Sequence, residues 1–304
     1  MSNDRNFSLE GLSHFLMAIG VFIVVLMVFA FMAQSIIEPI FGISLAEIQK
    51  VGIENITVNQ GLAIKFAQFF TPFGILVSSL IFCTILKTKF TSFVGIQNRI
   101  TMPLLGLSVL LLIAIMPLIA GLLELNSKVS FPADLSEIFR EAEDMNNNLY
   151  ALMLKHNSGI HLVVNFFLMA LLPAISEEVF FRGVLMRVSA KMTGNIWSGI
   201  AISSFIFALI HLQPYKFLAM FFIAFMFGYL YYRTGSLWIP IVLHTINNSM
   251  AIIGSRLENS GLDAGILAED ATLGWPWIVG GLVATFLLIW VIQKNTDDLD
   301  FSYE

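Results

Sequence analysis

The chain has 304 residues, of which 57% are hydrophobic and 12% charged, with a net charge of −5 and a mean hydropathy of +0.83. A water-soluble domain carries charge on roughly a quarter of its residues, so these proportions exclude one and imply an integral membrane protein. The acidic balance leaves no diffuse basic surface to neutralise phosphates, which excludes nucleic acid as a partner. A single cysteine, Cys83, excludes an intrachain disulfide and a thiolate metal cluster.

Met1 to Gly11 holds only Arg5 as a base, and the apolar stretch after it, Leu12–Ile37, is too long for the core of a signal peptide. With no small-residue cleavage site behind it, this stretch is expected to be a retained first span. A helix needs ~20 apolar residues to cross ~30 Å of hydrocarbon, and seven further stretches approach that length. In order they are Leu62–Leu86, Met102–Leu123, Ile160–Val188, Ile196–Leu212, Phe217–Tyr232, Leu237–Ile253 and Trp277–Ile292. The expected architecture is all-α, a polytopic transmembrane bundle of about eight spans forming a single domain, 1–304. Glu124–Ser158, polar and acidic around Glu137, Glu141, Glu143 and Asp144, is expected to be an extramembrane loop containing a short helix.

Orientation follows from bases beside the spans, which accumulate on the cytoplasmic side. With the N-terminus inside, Arg5, Lys87, Lys89, Arg99, Arg187, Lys191, Arg233 and Lys294 are inner, against Lys50, Lys128, Arg140, Lys155, Lys216 and Arg256 outside. Two outer segments, Glu124–Ser158 and Gly254–Gly274, are acidic. The expected placement is the cell (inner) membrane, with both termini cytoplasmic.

Charge inside the apolar core costs several kcal/mol and marks function or a buried pairing. Only the fourth span holds such a cluster, Ser176-Glu177-Glu178-Val179-Phe180-Phe181-Arg182, with Pro173 just upstream. Glu178 and Arg182 are i and i+4, acid before base, and can pair on one helix face. Glu177, turned about 100° away, is the free carboxylate. His211 follows Phe207 by four residues in the fifth span, and His244 precedes Asn248 by four in the seventh, so imidazole and carboxamide share a face; Asn247 points elsewhere. A carboxylate, two imidazoles and an amide suffice for a base, an orienting group and oxyanion donors. Taken singly, each has a plainer reading: a lone intramembrane histidine more often makes a packing hydrogen bond, Glu178–Arg182 reads as structural, and Asn248 as interhelical glue. Their coincidence within Glu177 to Asn248 favours a site. His14, His156 and His161 carry no assignment, and Lys65 is expected to snorkel from the end of its span.

Glu-Glu-x-x-x-Arg at Glu177 to Arg182, Phe-x-x-x-His at Phe207 to His211 and His-x-x-x-Asn at His244 to Asn248, in that order on successive spans, resemble the CPBP family. That family comprises CAAX proteases and bacteriocin-processing proteins, including the type II CAAX prenyl endopeptidases; the resemblance covers a core of residues 160–254. It implies an intramembrane protease, a bundle of eight spans or nearly so with a polar cavity open to the cytosol, and a peptide or protein substrate in or at the lipid bilayer. Carried over by motif position, Glu177 with His211 would activate water, His244 and Asn248 would hold the oxyanion, and Glu178, Arg182 and Phe207 would support them. Zinc is the one cofactor candidate, with Glu177, His211 and His244 as ligands; there is no His-Glu-x-x-His, and an oxyanion role for His244 competes with a ligand role.

One expectation conflicts with the spans as drawn. His211 lies about 16 residues into the fifth, ~24 Å of rise, whereas Glu177 stands closer to the inner end of the fourth, so their depths agree only if a span slides, bends at Pro173 or tilts. The rival class is a non-catalytic membrane protein, a transporter, immunity or scaffold subunit using the buried polar groups as a proton relay or structural pair. A transporter would show repeated halves and broken helices in paired positions, and neither is evident.

Overall fold

In the computed structural model of the chain, residues 7–44, 47, 56–155, 159–262 and 273–296 are described. Arg5, Lys50, His156 and the acidic end of Gly254–Gly274 (Asp263, Glu269, Asp270) lie outside them. All regular structure among the described residues is helical: α1 (Leu9–Phe41), α2 (Val58–Ile85), α3 (Met102–Ser127), α4 (Ala133–Leu154), α5 (Ile160–Thr193), α6 (Ile196–Ile210), α7 (Phe217–Thr234), α8 (Trp238–Asn259) and α9 (Trp275–Lys294).

Each apolar stretch of the sequence is a helix, and six of them, α1, α2, α3, α5, α7 and α9, are long and apolar enough to cross a membrane. The other two expected spans fall short for different reasons. α6 has 15 residues, a rise of about 22 Å. α8 has 22, but His244, Asn247, Asn248 and Ser249 interrupt its apolar run. α6 is apolar but short and ends one residue before His211, whereas α8 carries His244 and Asn248, and this polar cargo is what makes it a poor span by composition.

α5 is the centre of the bundle. Its middle, Val179–Leu185, is buried at every position, and it packs against α1, α2, α6 and α8. Two stretches, Phe166–Leu171 and Val179–Leu185, are wound as π-helix, on either side of the turn that carries Glu177 and Glu178. α1 and α9 lie outside, with Phe31, Phe286 and Leu287 more than half exposed, as lipid-facing residues should be. Between α1 and α5 the core is aromatic: Phe22 stacks on Phe180 at 4.4 Å, and Phe181 meets Phe207 of α6 edge-on at 5.1 Å.

The hairpin of α5 and α6 removes the depth conflict. α5 does not stop near Val188 but continues to Thr193, ending at Gly194 in the left-handed conformation (φ 64°), where glycine carries no Cβ penalty. Asn195 then caps α6, its side chain accepting from the Trp197 amide at 2.9 Å. Glu177 therefore stands as far before this turn as His211 stands after it, and an antiparallel pair brings them to one level.

Two further expectations are corrected. Glu124–Ser158 does not hold a short helix: α4 runs 22 residues, and its last turn, Leu152 to Leu154, enters the core with Ile56, Ala63 and Ile64. The same packing corrects Lys65, which is 4% exposed and does not snorkel, because the start of α2 is covered by the end of α4.

Candidate active site

The site begins with one turn of α5. Pro173 opens the α-helical stretch Leu172–Glu178 between the two π-helical segments, and successive carboxylates there project in different directions. Glu178 is wholly buried. Its Oε1 stands 2.9 Å from Arg182 Nη1 in an ion pair and accepts a hydrogen bond from His244 Nδ1 at 2.8 Å. Arg182, 1% exposed, also donates from Nη2 to the Ala224 carbonyl at 3.0 Å and lies 5.0 Å over the Phe207 ring. A buried charge persists only where partners offset its desolvation, and here one carboxylate, one guanidinium and one imidazole do so across α5, α7 and α8.

Glu177 is 16% exposed and lines a large cavity of ≈ 2150 Å³, whose wall also includes His211, His244, Asn248 and Phe207. Its Oε2 stands 3.7 Å from His244 Nε2, beyond hydrogen-bond length. The motif residues of three separate helices thus face one space. Asn247 lines it as well, so the separation of Asn247 from Asn248 by one residue step does not take it off the cavity face.

Ring-nitrogen partners fix what each histidine can do. His211 Nδ1 meets the Phe207 carbonyl at 2.7 Å; a carbonyl only accepts, so Nδ1 carries the proton and Nε2 of the neutral ring offers a lone pair. His244 Nδ1 faces a carboxylate and likewise donates. Phe207 separates the two imidazoles, its ring centroid 4.5 Å from that of His211 and 6.0 Å from that of His244. Sequence reasoning missed the bond from His244 to Glu178, since nothing in either local motif reports a contact 66 residues apart.

The turn after His211 is clamped from α3. Asn126, 4% exposed, donates to the Pro214 carbonyl at 2.9 Å and accepts from the Leu218 amide at 2.7 Å. Leu212, next to His211, holds a positive φ of 53°, a conformation that a non-glycine residue keeps only under surrounding constraint. Asn126 carries no motif signature and was not among the expected site residues.

The zinc candidates do not form a ligand set. Among the described residues no three His, Cys, Asp or Glu side chains are gathered closely enough to hold a metal ion, although the bonds at Nδ1 leave Nε2 of both His211 and His244 available as a ligand atom. As arranged, Glu177, His211 and His244 do not fit a three-ligand zinc site.

The cavity reaches the face formed by Ser127, Glu143, Asn147, Gln213, Lys216 and Ser255. That is the side the distribution of bases assigns to the outside. With the cavity opening at that end, the expected cytosol-facing cavity and the expected cytoplasmic termini are alternatives for this fold.

Comparison with known proteins meets these residues. Residues 159–250 match the family model described as Type II CAAX prenyl endopeptidase Rce1-like. A Bacillus subtilis (strain 168) protein provisionally named membrane peptidase YdiL is 33% identical over 79 residues, 26% of this chain. The match spans about a third, 32%, of that relative's length. No solved structure gives a significant match. The segment 159–250, which holds the Glu-Glu-x-x-x-Arg turn and both histidine motifs, is thus similar to the Rce1-like type II CAAX prenyl endopeptidases.

Proposed function

We propose that this protein is an intramembrane endopeptidase that cleaves a membrane-associated peptide or protein with a water activated by Glu177. The observation that carries the reading is the division between the two adjacent carboxylates. Glu178 is locked between Arg182 and His244 with no exposed surface, while Glu177 faces the cavity beside them, with no basic residue among the described residues within ion-pair distance except His244 at 3.7 Å.

In this mechanism Glu177 takes a proton from water, assisted by the Nε2 lone pair of His211, and the hydroxide adds to the scissile carbonyl carbon. The resulting oxyanion accepts hydrogen bonds from Asn248 Nδ2 and His244 Nε2. With Nδ1 already bonded to Glu178, His244 donates from Nε2 only as an imidazolium. Glu177, Glu178, Arg182 and His244 then sum to zero formal charge, so the buried group is neutral overall. The tetrahedral intermediate collapses by breaking the C–N bond, and the proton held by Glu177 goes to the leaving amine. Such preorganised donors in a water-poor site are typically worth 10²–10³ in turnover each.

The resemblance and the peptidase-named relative support the reading, and the shared cavity wall supports the roles. Reconstituted wild type, given a library of membrane-tethered peptides, should cleave at defined bonds. Glu177→Gln should abolish cleavage while melting at the wild-type temperature in detergent, since the substituted side chain faces the cavity. Undiminished cleavage by Glu177→Gln would overturn the mechanism.

A further inference from the structure

α4 presents three different faces. At 100° per residue, Leu135, Ile138, Ala142, Met145 and Leu149 fall within one sector of about 80°. Asp134, Glu137, Glu141 and Asp144 fall within a second. Ser136, Arg140, Glu143 and Asn147 fall within a third, which is turned to the protein: Ser136 Oγ meets Tyr215 Oη at 3.2 Å, Glu143 faces Lys216 at 3.9 Å, and Glu143 and Asn147 line the cavity. The apolar sector has no protein over much of its length. Leu135 is 44% exposed, and Ile138 and Met145 are each 58% exposed.

We infer that α4 lies in the surface of the bilayer, with Leu135, Ile138 and Met145 inserted at the boundary of headgroups and acyl chains. α4 is too polar to be counted with the membrane-crossing helices, yet at both ends the chain passes directly into lipid-facing apolar residues. Leu125 and Val129 precede it, Ile160 and Val163 follow it, and all four are exposed. An interfacial helix needs an apolar face separated from its charges, and the acids of α4 are kept off the apolar sector. The roof of the cavity is then a surface-lying helix, and its mouth opens where lipid meets water. This inference needs only that the chain is embedded in a membrane and stands apart from the proposed cleavage chemistry.

The test is paramagnetic accessibility in nanodiscs of phosphatidylcholine. Cys83 is the sole cysteine, so Cys83→Ala gives a background in which Leu135→Cys, Ile138→Cys and Met145→Cys can be spin-labelled singly, with Glu137→Cys, Glu141→Cys and Asp144→Cys as the adjoining acidic face, turned about 100° away. All six positions are exposed, so the labels disturb no core. Oxygen, which concentrates among acyl chains, should reach the first three several-fold better relative to a water-soluble nickel chelate than it reaches the last three. Equal ratios on both faces would overturn the inference and put α4 in water. Exclusion of both reagents from the apolar face, with dipolar broadening between labels, would overturn it in favour of a second copy of the chain.

Discussion

Oε1 of Glu178 meets both the Arg182 guanidinium and the His244 imidazole, and its Oε2 has no hydrogen-bond partner among the described residues. Removing Arg182 would leave this buried carboxylate underpaired, a change that typically costs 3–5 kcal/mol. Arg182→Ala should therefore melt well below wild type in detergent, while Glu177→Gln should not; equal melting temperatures would contradict the pairing. His244 is a second residue with a decidable role. As an oxyanion donor, His244→Ala should lower turnover by about 10²–10³ and leave the zinc content of the purified protein unchanged; zinc present in wild type and lost together with activity in His244→Ala and His211→Ala would restore the metal reading. Asn126→Ala takes one of two donors from the Pro214 carbonyl, which keeps the Phe217 amide, and removes the side-chain acceptor of the partly buried Leu218 amide, a loss of up to about 1–3 kcal/mol. It should lower both the melting temperature and turnover, with Asn126→Ala protein still folded as judged by its far-ultraviolet helical signal. At this scale the sequence was most informative where charge stood in an apolar run: Glu177, Glu178, Arg182, His211 and His244 announce themselves by their cost. Asn126 does not, because one polar residue near a helix end costs little and its value lies in two backbone groups that only the fold brings to it.

α5 and α6 form the hairpin on which the depth of the site depends, and their approach is set by a glycine. A Cβ on Gly199 would stand 2.6 Å from the Met186 carbonyl oxygen and 2.7 Å from the Ala190 Cβ, contacts with backbone and a short side chain that cannot turn away. Small residues permit such close packing of helices in membranes. Gly199→Ala should force the pair apart, cost about 1–3 kcal/mol by overpacking and reduce turnover by moving His211 relative to Glu177. Gly20→Ala, with nothing within 4 Å of the new Cβ, is the matched control and should be as active and as stable as wild type. Helix existence and order were legible because each span is a long, mainly apolar run. The ends were less so: the exit of α5 at Gly194 lies beyond the apolar part of the helix, in Met186–Thr193, which is amphipathic. The π-helical stretches were not legible at all. A helix without a continuous polar face offers no drift that could betray the wider winding.

For the whole molecule, the face carrying α4 and Lys216 and the face carrying Lys294 must be on opposite sides of the membrane, since α5, α7 and α9 each run between them. A membrane-impermeant maleimide should label Asp144→Cys and Lys294→Cys, each in the Cys83→Ala background, from opposite sides of sealed vesicles. The compartment in which Asp144→Cys reacts is the one into which the cavity opens, and it decides between a cytosolic mouth and cytoplasmic termini. Composition alone was enough to read a polytopic all-α bundle, because 12% charge leaves too few polar residues to clothe anything else. The side of the membrane was not readable with the same security, since the inner and outer bases are nearly equal in number.

The cavity has a further consequence, for permeability. A volume of ≈ 2150 Å³ has room for on the order of 70 waters at ~30 Å³ each, a deep indentation of the bilayer's insulating layer. Phe22 and Phe207 line it and pack on Phe180 and Phe181, which with the rest of Val179–Leu185 are buried at every position, and Val94 presses so closely on Gly183 that a Cβ there would lie 2.8 Å from it. The insulating layer is thus thinned but not breached. Vesicles bearing this protein should hold a potassium gradient as long as protein-free vesicles do, with the full membrane potential falling across the short aromatic floor beneath Glu177.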